Sequence, residues 1–162
     1  MLTHERTTAL AKELFREERN LFRLDGWFLS KEIGIKYEDE TKGMSKMRRA
    51  AYLLKKVKAP VYATKLTIGL IEGKLKEHNL SGEVTLNVSR PGQIVKMGCM
   101  AVEFIRVNHS IPDAVGFAIK CEGGTIVHTG DFKIDTTPID GEMIDLARFG
   151  NLGREGVLLM MS

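Results

Sequence analysis

Between Cys99 and Gly130 apolar and polar side chains alternate with the period of a sheet. "CMAVEFIRV" places Met100, Val102 and Phe104 at every second position. In an extended chain such residues share one face, so one side of this strand is apolar. "AVGFAIKC" and "TIVHTG" follow, joined by Glu122-Gly123-Gly124, a hairpin signal. "IVKMG" is expected to pair with "CMAVEFIRV", after a turn around Pro91-Gly92 in "RPGQ". Further upstream, "EVTLNV" alternates through Val84, Leu86 and Val88, and "VYAT" reads as a short buried strand.

Helical spacing brackets these strands. "KLTIGLIEGKLKEHNL" puts Ile68, Ile71 and Leu75 on one side and Lys and Glu on the other. "GEMIDLARFGNLG" is expected to be a helix ended by its glycine, and "GVLLMM" one more buried strand. Before Pro60 the texture differs. Leu10, Leu14, Leu21 and Leu24 recur at roughly helical spacing, and "KEIGIKYEDETKGMSK" is polar and punctuated by glycine. A second helix is expected from a cap at Ser45, with Met47, Ala51, Leu54 and Val57 on one face. Pro60 stops it by disfavouring helical geometry at Ala59. We therefore expect a mixed α/β (α+β) fold, with a helical segment over residues 1–50 and the strand-rich part over residues 51–162.

The length of 162 residues suits one domain with a real core. A hydrophobic share of 43% and a charged share of 28% are those of an ordinary globular chain. No apolar run is long enough to span a bilayer, and the N-terminus carries charge within a few residues, unlike a secretory signal. Cys99 and Cys121 sit in apolar segments without metal-type spacing, which reads as two reduced core thiols in a cytoplasmic protein. The net charge is +3, and its excess lies in residues 1–56, with thirteen Lys and Arg against nine Asp and Glu. So small an excess attracts nucleic acid only weakly and reads first as solvated helix faces. Nucleophile elbows, phosphate loops and dinucleotide fingerprints are absent from the sequence.

Two residues stand where ligands hang in layered folds, just past strand ends. His109 follows the strand that ends at Val107, in "VNHSIPD", and Asp131 follows Thr129-Gly130 in "HTGDF". Each has a plain alternative: a half-exposed loop histidine, and an aspartate capping a turn. His128 is expected to be buried or hydrogen-bonded rather than a ligand. His78, in "KEHNL", suits a helix C-terminus, and His4 lies near the terminus. Asp135, Asp140, Glu142 and Asp145 read as acids around a helix start, where the helix dipole favours them.

Taken together, "VYATKLTIGLIEGKLKEHNL", "VEFIRVNHSIPDAVGFAI" and "GTIVHTGDFKIDTTPIDGEMIDLARFGNLGREGVLLMMS" resemble part of bacterial ribonuclease J. The resemblance runs from about Tyr52 to Ser162. It implies a partial metallo-β-lactamase αββα sandwich. It implies RNA as substrate, cut from a 5′ end and internally, and two zinc ions in a cleft at the strand ends. The histidine matching "NHSIPD" is a metal ligand in that family, which implies His109. The aspartate matching "TGDFK" bridges the two ions, which implies Asp131.

The family's principal ligand motif, His-x-His-x-Asp-His, should precede the helix leading into "VYAT". Here that place reads "KGMSKMRRAAYLLKKV", without histidine or aspartate. "LTHE" at residues 2–5 is similar to the start of the motif but is followed by "RTTA" and lies too far away. The family's last histidine ligand comes from beyond its inserted domain, and this chain stops at the strand "GVLLMM". We therefore expect a fragment that is inactive alone, holding at most a weak single-ion site. Rebuilding the site from His4, His78 or His128 is the enzymatic alternative. A non-catalytic module that associates with itself, with a full-length homologue or with RNA is the other. A membrane is not an expected partner.

Overall fold

A computed structural model of the chain describes residue 43 and residues 51–55, 59–139 and 141–162. The helical segment expected over residues 1–50 falls outside these, as does the cap at Ser45. Residues 51–55 are helical, with Ala51 and Leu54 buried. The chain divides into two compact units. Among the described residues, one holds those up to 61 together with 71–85, and the other those of 62–70 and from 86 onward.

The described elements run β1 (Val61–Ala63), α1 (Lys65–Glu77), β2 (Leu86–Val88), β3 (Ile94–Met97), β4 (Met100–Arg106), β5 (Val115–Cys121), β6 (Gly124–His128), α2 (Leu146–Glu155) and β7 (Leu159–Met161). This is the mixed α/β composition that the alternating segments foretold. β1 and β2 form a two-stranded sheet, and β3-β4-β5-β6-β7 a five-stranded one in that order. Val61 N–H donates to Thr85 O and Ser89 N–H to Ala63 O, so β1 and β2 run the same way. A parallel pair needs a long crossover, and α1 supplies it. α1 stops at Asn79, whose φ of +56° is the left-handed conformation that asparagine tolerates. Lys74 and Lys76 occupy its last turn, where the dipole favours cations. Ile68, Ile71 and Leu75 are buried, as their spacing implied.

The large sheet is antiparallel except at β6–β7, where α2 provides the crossover. The turn between β3 and β4 is Gly98-Cys99, since Met97 faces Met100 across the pair. The turn between β5 and β6 is Glu122-Gly123, with Cys121 facing Gly124. Register fixes the two faces. Val102 pairs with Ile119 and Phe104 with Phe117 on one face. Their rings meet edge to face at 5.1 Å and 78°. Glu103 pairs with Ala118 and Ala101 with Lys120 on the other face, which α2 covers. There Ile105, Ala118, Val127 and Leu152 form one buried cluster, with Phe149 and Val157 packed against it.

Arg148 ties α2 to the sheet. Its Nε and Nη2 donate to the two carboxylate oxygens of Glu103 at 2.7 and 2.8 Å, and its Nη1 donates to Glu155 at 3.0 Å. The Glu103 hydrogen bonds, then those to Glu155, hold the guanidinium even more basic than usual. Lys120 on β5 reaches Glu155 at 3.3 Å. Arg148, followed by Lys120, holds the Glu155 carboxyl below the usual glutamate range.

Several expectations need correction, beginning with β1, which is half-buried along Val61–Ala63 rather than buried. α2 does not end at Gly150 or Gly153. It starts at the Asp145 cap, whose carboxylate accepts from Arg148 N at 2.8 Å, and runs to Gly156. Helical glycine costs only about 1 kcal/mol each, and the buried Leu152 and the Arg148 contacts offset that. Cys99 is exposed at the hairpin turn rather than buried, and Cys121 is only half-buried, its Sγ donating to Gly124 O at 3.3 Å. "EVTLNV" is strand only from Leu86 to Val88. Val84 is buried ahead of it, and Val88 is 52% exposed. β7 is not a buried strand, because it is the last of its sheet among the described residues and Met160 is 62% exposed.

Candidate functional site

β4 and β6 are separated by β5, so their ends lie two strand spacings apart, roughly 9–10 Å. Side chains hung directly from those ends would be too distant to share one ion. Beyond the sheet the chain closes this gap. Val107 N–H donates to Ala114 O, which folds residues 108–113 into a loop over the start of β5. Asn108 and Lys133 then form an isolated antiparallel bridge, with Lys133 N–H donating to Asn108 O at 2.7 Å. The residue after Asn108 is His109, and Asp131 stands two before Lys133. Both line a single cavity of about 200 Å3.

Aromatic carbon from Phe104 and Phe117 forms part of the cavity wall, and Thr64 and Thr67 at the start of α1 contribute another part. Thr64 Oγ1 donates to Thr67 Oγ1 at 3.3 Å. Asp113, at φ +62°, accepts from Leu66 N–H at 3.4 Å. Its carboxylate thus caps α1 from the His109 loop, where the helix dipole favours an anion. A volume of 200 Å3 is below the 300 Å3 or so of ordinary ligand clefts. It suits a phosphate-sized group or an ion with water better than a whole nucleotide.

Two glycines allow the crowded geometry next to Asp131. A Cβ on Gly116 would lie 2.9 Å from both His128 O and Thr129 O. A Cβ on Gly130 would lie 2.8 Å from Val115 O, and its φ of +65° also favours glycine. Thr129 is buried, and its N–H donates to Met161 O at 3.0 Å, which brings the end of β7 alongside. Its Oγ1 lies 3.2 Å from Ser162 Oγ.

The other candidates sort themselves. His128 pairs with Phe117, and its Nδ1 accepts from Gly130 N–H at 2.9 Å, so it is a hydrogen-bonded sheet residue that braces the Asp131 turn. His78 follows α1 directly, where its N–H donates to Lys74 O. His4 and Asp140 lie outside the described residues. Asp145 caps α2, Glu142 pairs with Arg106, and Asp135 accepts from Thr137 N–H at 3.0 Å. Lys133, then that backbone bond, holds the Asp135 carboxyl below its usual range. Sequence reasoning missed Asn108, Gly116 and Arg148. For Asn108 the available signal was a polar residue at a position where the strand is still buried.

Zinc is the ion that the resemblance implies. Each zinc takes about four ligands, and His109 and Asp131 offer one ring nitrogen and one carboxylate. Among the described residues no group of three or more His, Cys, Asp and Glu converges as a metal site would need. The pair fits part of one ion's shell and does not fit a two-ion centre.

Comparison with known proteins bears on this cleft. A ribonuclease J of Thermus thermophilus is 45% identical over 105 residues, which are 64% of this chain and 18% of that protein. A ribonuclease J of Helicobacter pylori is 40% identical over 112 residues, 68% of this chain and 16% of its own length. Ribonuclease J2 of Bacillus subtilis is 40% identical over 111 residues, 68% of this chain and 20% of its own. Some two thirds of this chain is similar to a part of ribonuclease J. The chain spans a fifth or less of these ribonuclease J relatives. The part of the chain similar to ribonuclease J is a mixed sheet-and-helix, α+β, arrangement. No family model matches. Among solved structures, a protein of unknown function from Enterococcus faecalis V583 aligns with 47% of this chain and 20% of its own, at 19% identity and a TM-score of 0.39. Among the described residues no helix is long and apolar enough to cross a membrane.

Proposed function

We propose that this chain carries one side of a ribonuclease J-type metal cleft and does not cleave RNA unaided. The observation that supports this reading is the convergence of His109 and Asp131 on one cavity, although their strands are not neighbours. The ribonuclease J relatives make RNA the substrate class to test. In a complete two-ion cleft the metals would activate water and neutralise the attacked phosphate. In this chain His109 and Asp131 would supply donors, Phe104 and Phe117 would exclude water from one wall, and the two bridged loops would hold the donors in register. The segment "KGMSKMRRAAYLLKKV" offers no imidazole to finish the shells.

Metal analysis of the purified chain, paired with turnover of a 5′-monophosphorylated RNA, tests the reading. At most one weakly held zinc and no turnover are expected. Two stoichiometric zinc ions with nuclease activity would overturn it.

A second reading is an interaction module in a cytoplasmic setting. Ile134, Ile139, Met143 and Leu146 are 54–110% exposed along the segment after Asp131, and the β7 edge shows Met160. Apolar surface of this kind favours association with a second copy or with a full-length homologue. Size-exclusion chromatography with and without RNA decides it. A monomer indifferent to RNA removes this reading.

A further inference from the structure

We propose that Asn108 is a positioning residue that sets the separation of His109 and Asp131. The inference rests on the reading of those two residues as parts of one site. Asn108 is 7% exposed and makes three hydrogen bonds to two other segments of the chain. Its Nδ2 donates to Glu142 O at 2.7 Å, and its Oδ1 accepts from Ile144 N–H at 2.7 Å. Its main-chain oxygen accepts from Lys133 N–H, also at 2.7 Å.

The side chain thus grips residues 142–144, and the backbone grips the segment just past Asp131. Residues 142–144 are themselves fixed to the rest of the unit. Glu142 pairs with Arg106, Ile144 is buried, and Asp145 N–H donates to Arg106 O at 3.1 Å and opens α2. Asn108 therefore anchors its own carbonyl to the α2 start, and that carbonyl in turn holds the Asp131 segment. An amide side chain suits this node because it supplies one donor and one acceptor in one plane. Aspartate lacks the donor, and alanine lacks both groups. His109 and Asp131 sit one and two residues from the bridged pair, so a shift of the bridge moves both.

Amide hydrogen exchange of the whole chain, resolved residue by residue, tests this in Asn108→Ala and Asn108→Asp. In Asn108→Ala the Lys133 and Ile144 amides should exchange at least roughly tenfold faster relative to the core amides of β4 and β5 in the same protein. Asn108→Asp keeps the acceptor for Ile144, so Ile144 should regain protection while Lys133 regains only part of it. The same samples are titrated with zinc. Where the parent chain binds the ion, its affinity should fall about 10–100-fold in Asn108→Ala, with partial recovery in Asn108→Asp. Unchanged relative protection at Lys133 overturns the proposal, and so does unchanged zinc affinity in a chain whose parent binds. A parent that takes up no zinc removes the single-ion site alone, and the exchange data then decide Asn108 by themselves. Should Asn108→Ala fail to fold, the Lys133 exchange of Asn108→Asp decides in the same way.

Discussion

Beneath α2, Ile105, Ala118, Val127 and Leu152 are all buried to 3% exposure or less. A few residues beyond the same strands, Ile111, Phe132 and Ile134 stand 41–67% exposed. The first region is held by apolar area and one guanidinium fork. The second is held by hydrogen bonds between loops, around a small cavity. Apolar packing is non-directional and tolerant of exchange, whereas a hydrogen-bonded loop depends on individual atoms. Substitutions should therefore cost stability in the first region and geometry in the second.

The largest stability loss is expected from Leu152→Ala, about 2–5 kcal/mol by chemical denaturation. Its midpoint should fall while any zinc affinity of the folded protein stays the same. An equal loss of affinity would break the distinction between the two regions. Gly130→Ala should cost at least about 1–2 kcal/mol for the left-handed backbone alone. Crowding against Val115 O should add to that. It sharpens the comparison because it strikes the cleft region and should lower both stability and metal affinity. Arg148→Met should cost about 1–3 kcal/mol, since it leaves the mostly buried Glu103 carboxylate without its fork. His109→Ala is expected to change stability by no more than about 0.5 kcal/mol and to remove zinc uptake. A stability loss above 2 kcal/mol in that variant would make His109 a structural residue.

The smallest effect is on pH. Arg148 holds Glu155, and Lys133 holds Asp135, below their ordinary carboxyl ranges. In the unfolded chain these carboxyls take up protons at higher pH than in the folded one. Their contribution is therefore present above the ordinary carboxyl range of about 4 and is lost as pH falls below it, through the lower folded values. Both are exposed, so salt should weaken the effect. Urea midpoints measured from pH 7 downward, with Glu155→Gln as reference, check this. A variant as acid-sensitive as the parent would remove Glu155 from the account.

Local rules account for what could be read in advance. Alternation in "CMAVEFIRV" and "AVGFAIKC" gave the two long strands, because period two is a property of the extended chain itself. "EGG" gave the hairpin from β5 to β6, because glycine tolerates the backbone of a tight turn. α2 misled because glycine was read as a stop, while the forces that carry the helix through Gly150 and Gly153 come from Glu103 and from the sheet under Leu152. The exposed Cys99 misled because an apolar neighbourhood in sequence became a hairpin tip in space.

The sequence by itself determined the strands, their turns, the likeness to ribonuclease J and the identity of the two candidate ligands. The strands and turns depend on spacing along the chain, and the two ligands on the resemblance that the motifs carry. Only the tertiary structure decided that His109 and Asp131 line one cavity. Their strands are separated by β5, and the bridge from Asn108 to Lys133 spans residues 25 apart, beyond the reach of any local periodicity.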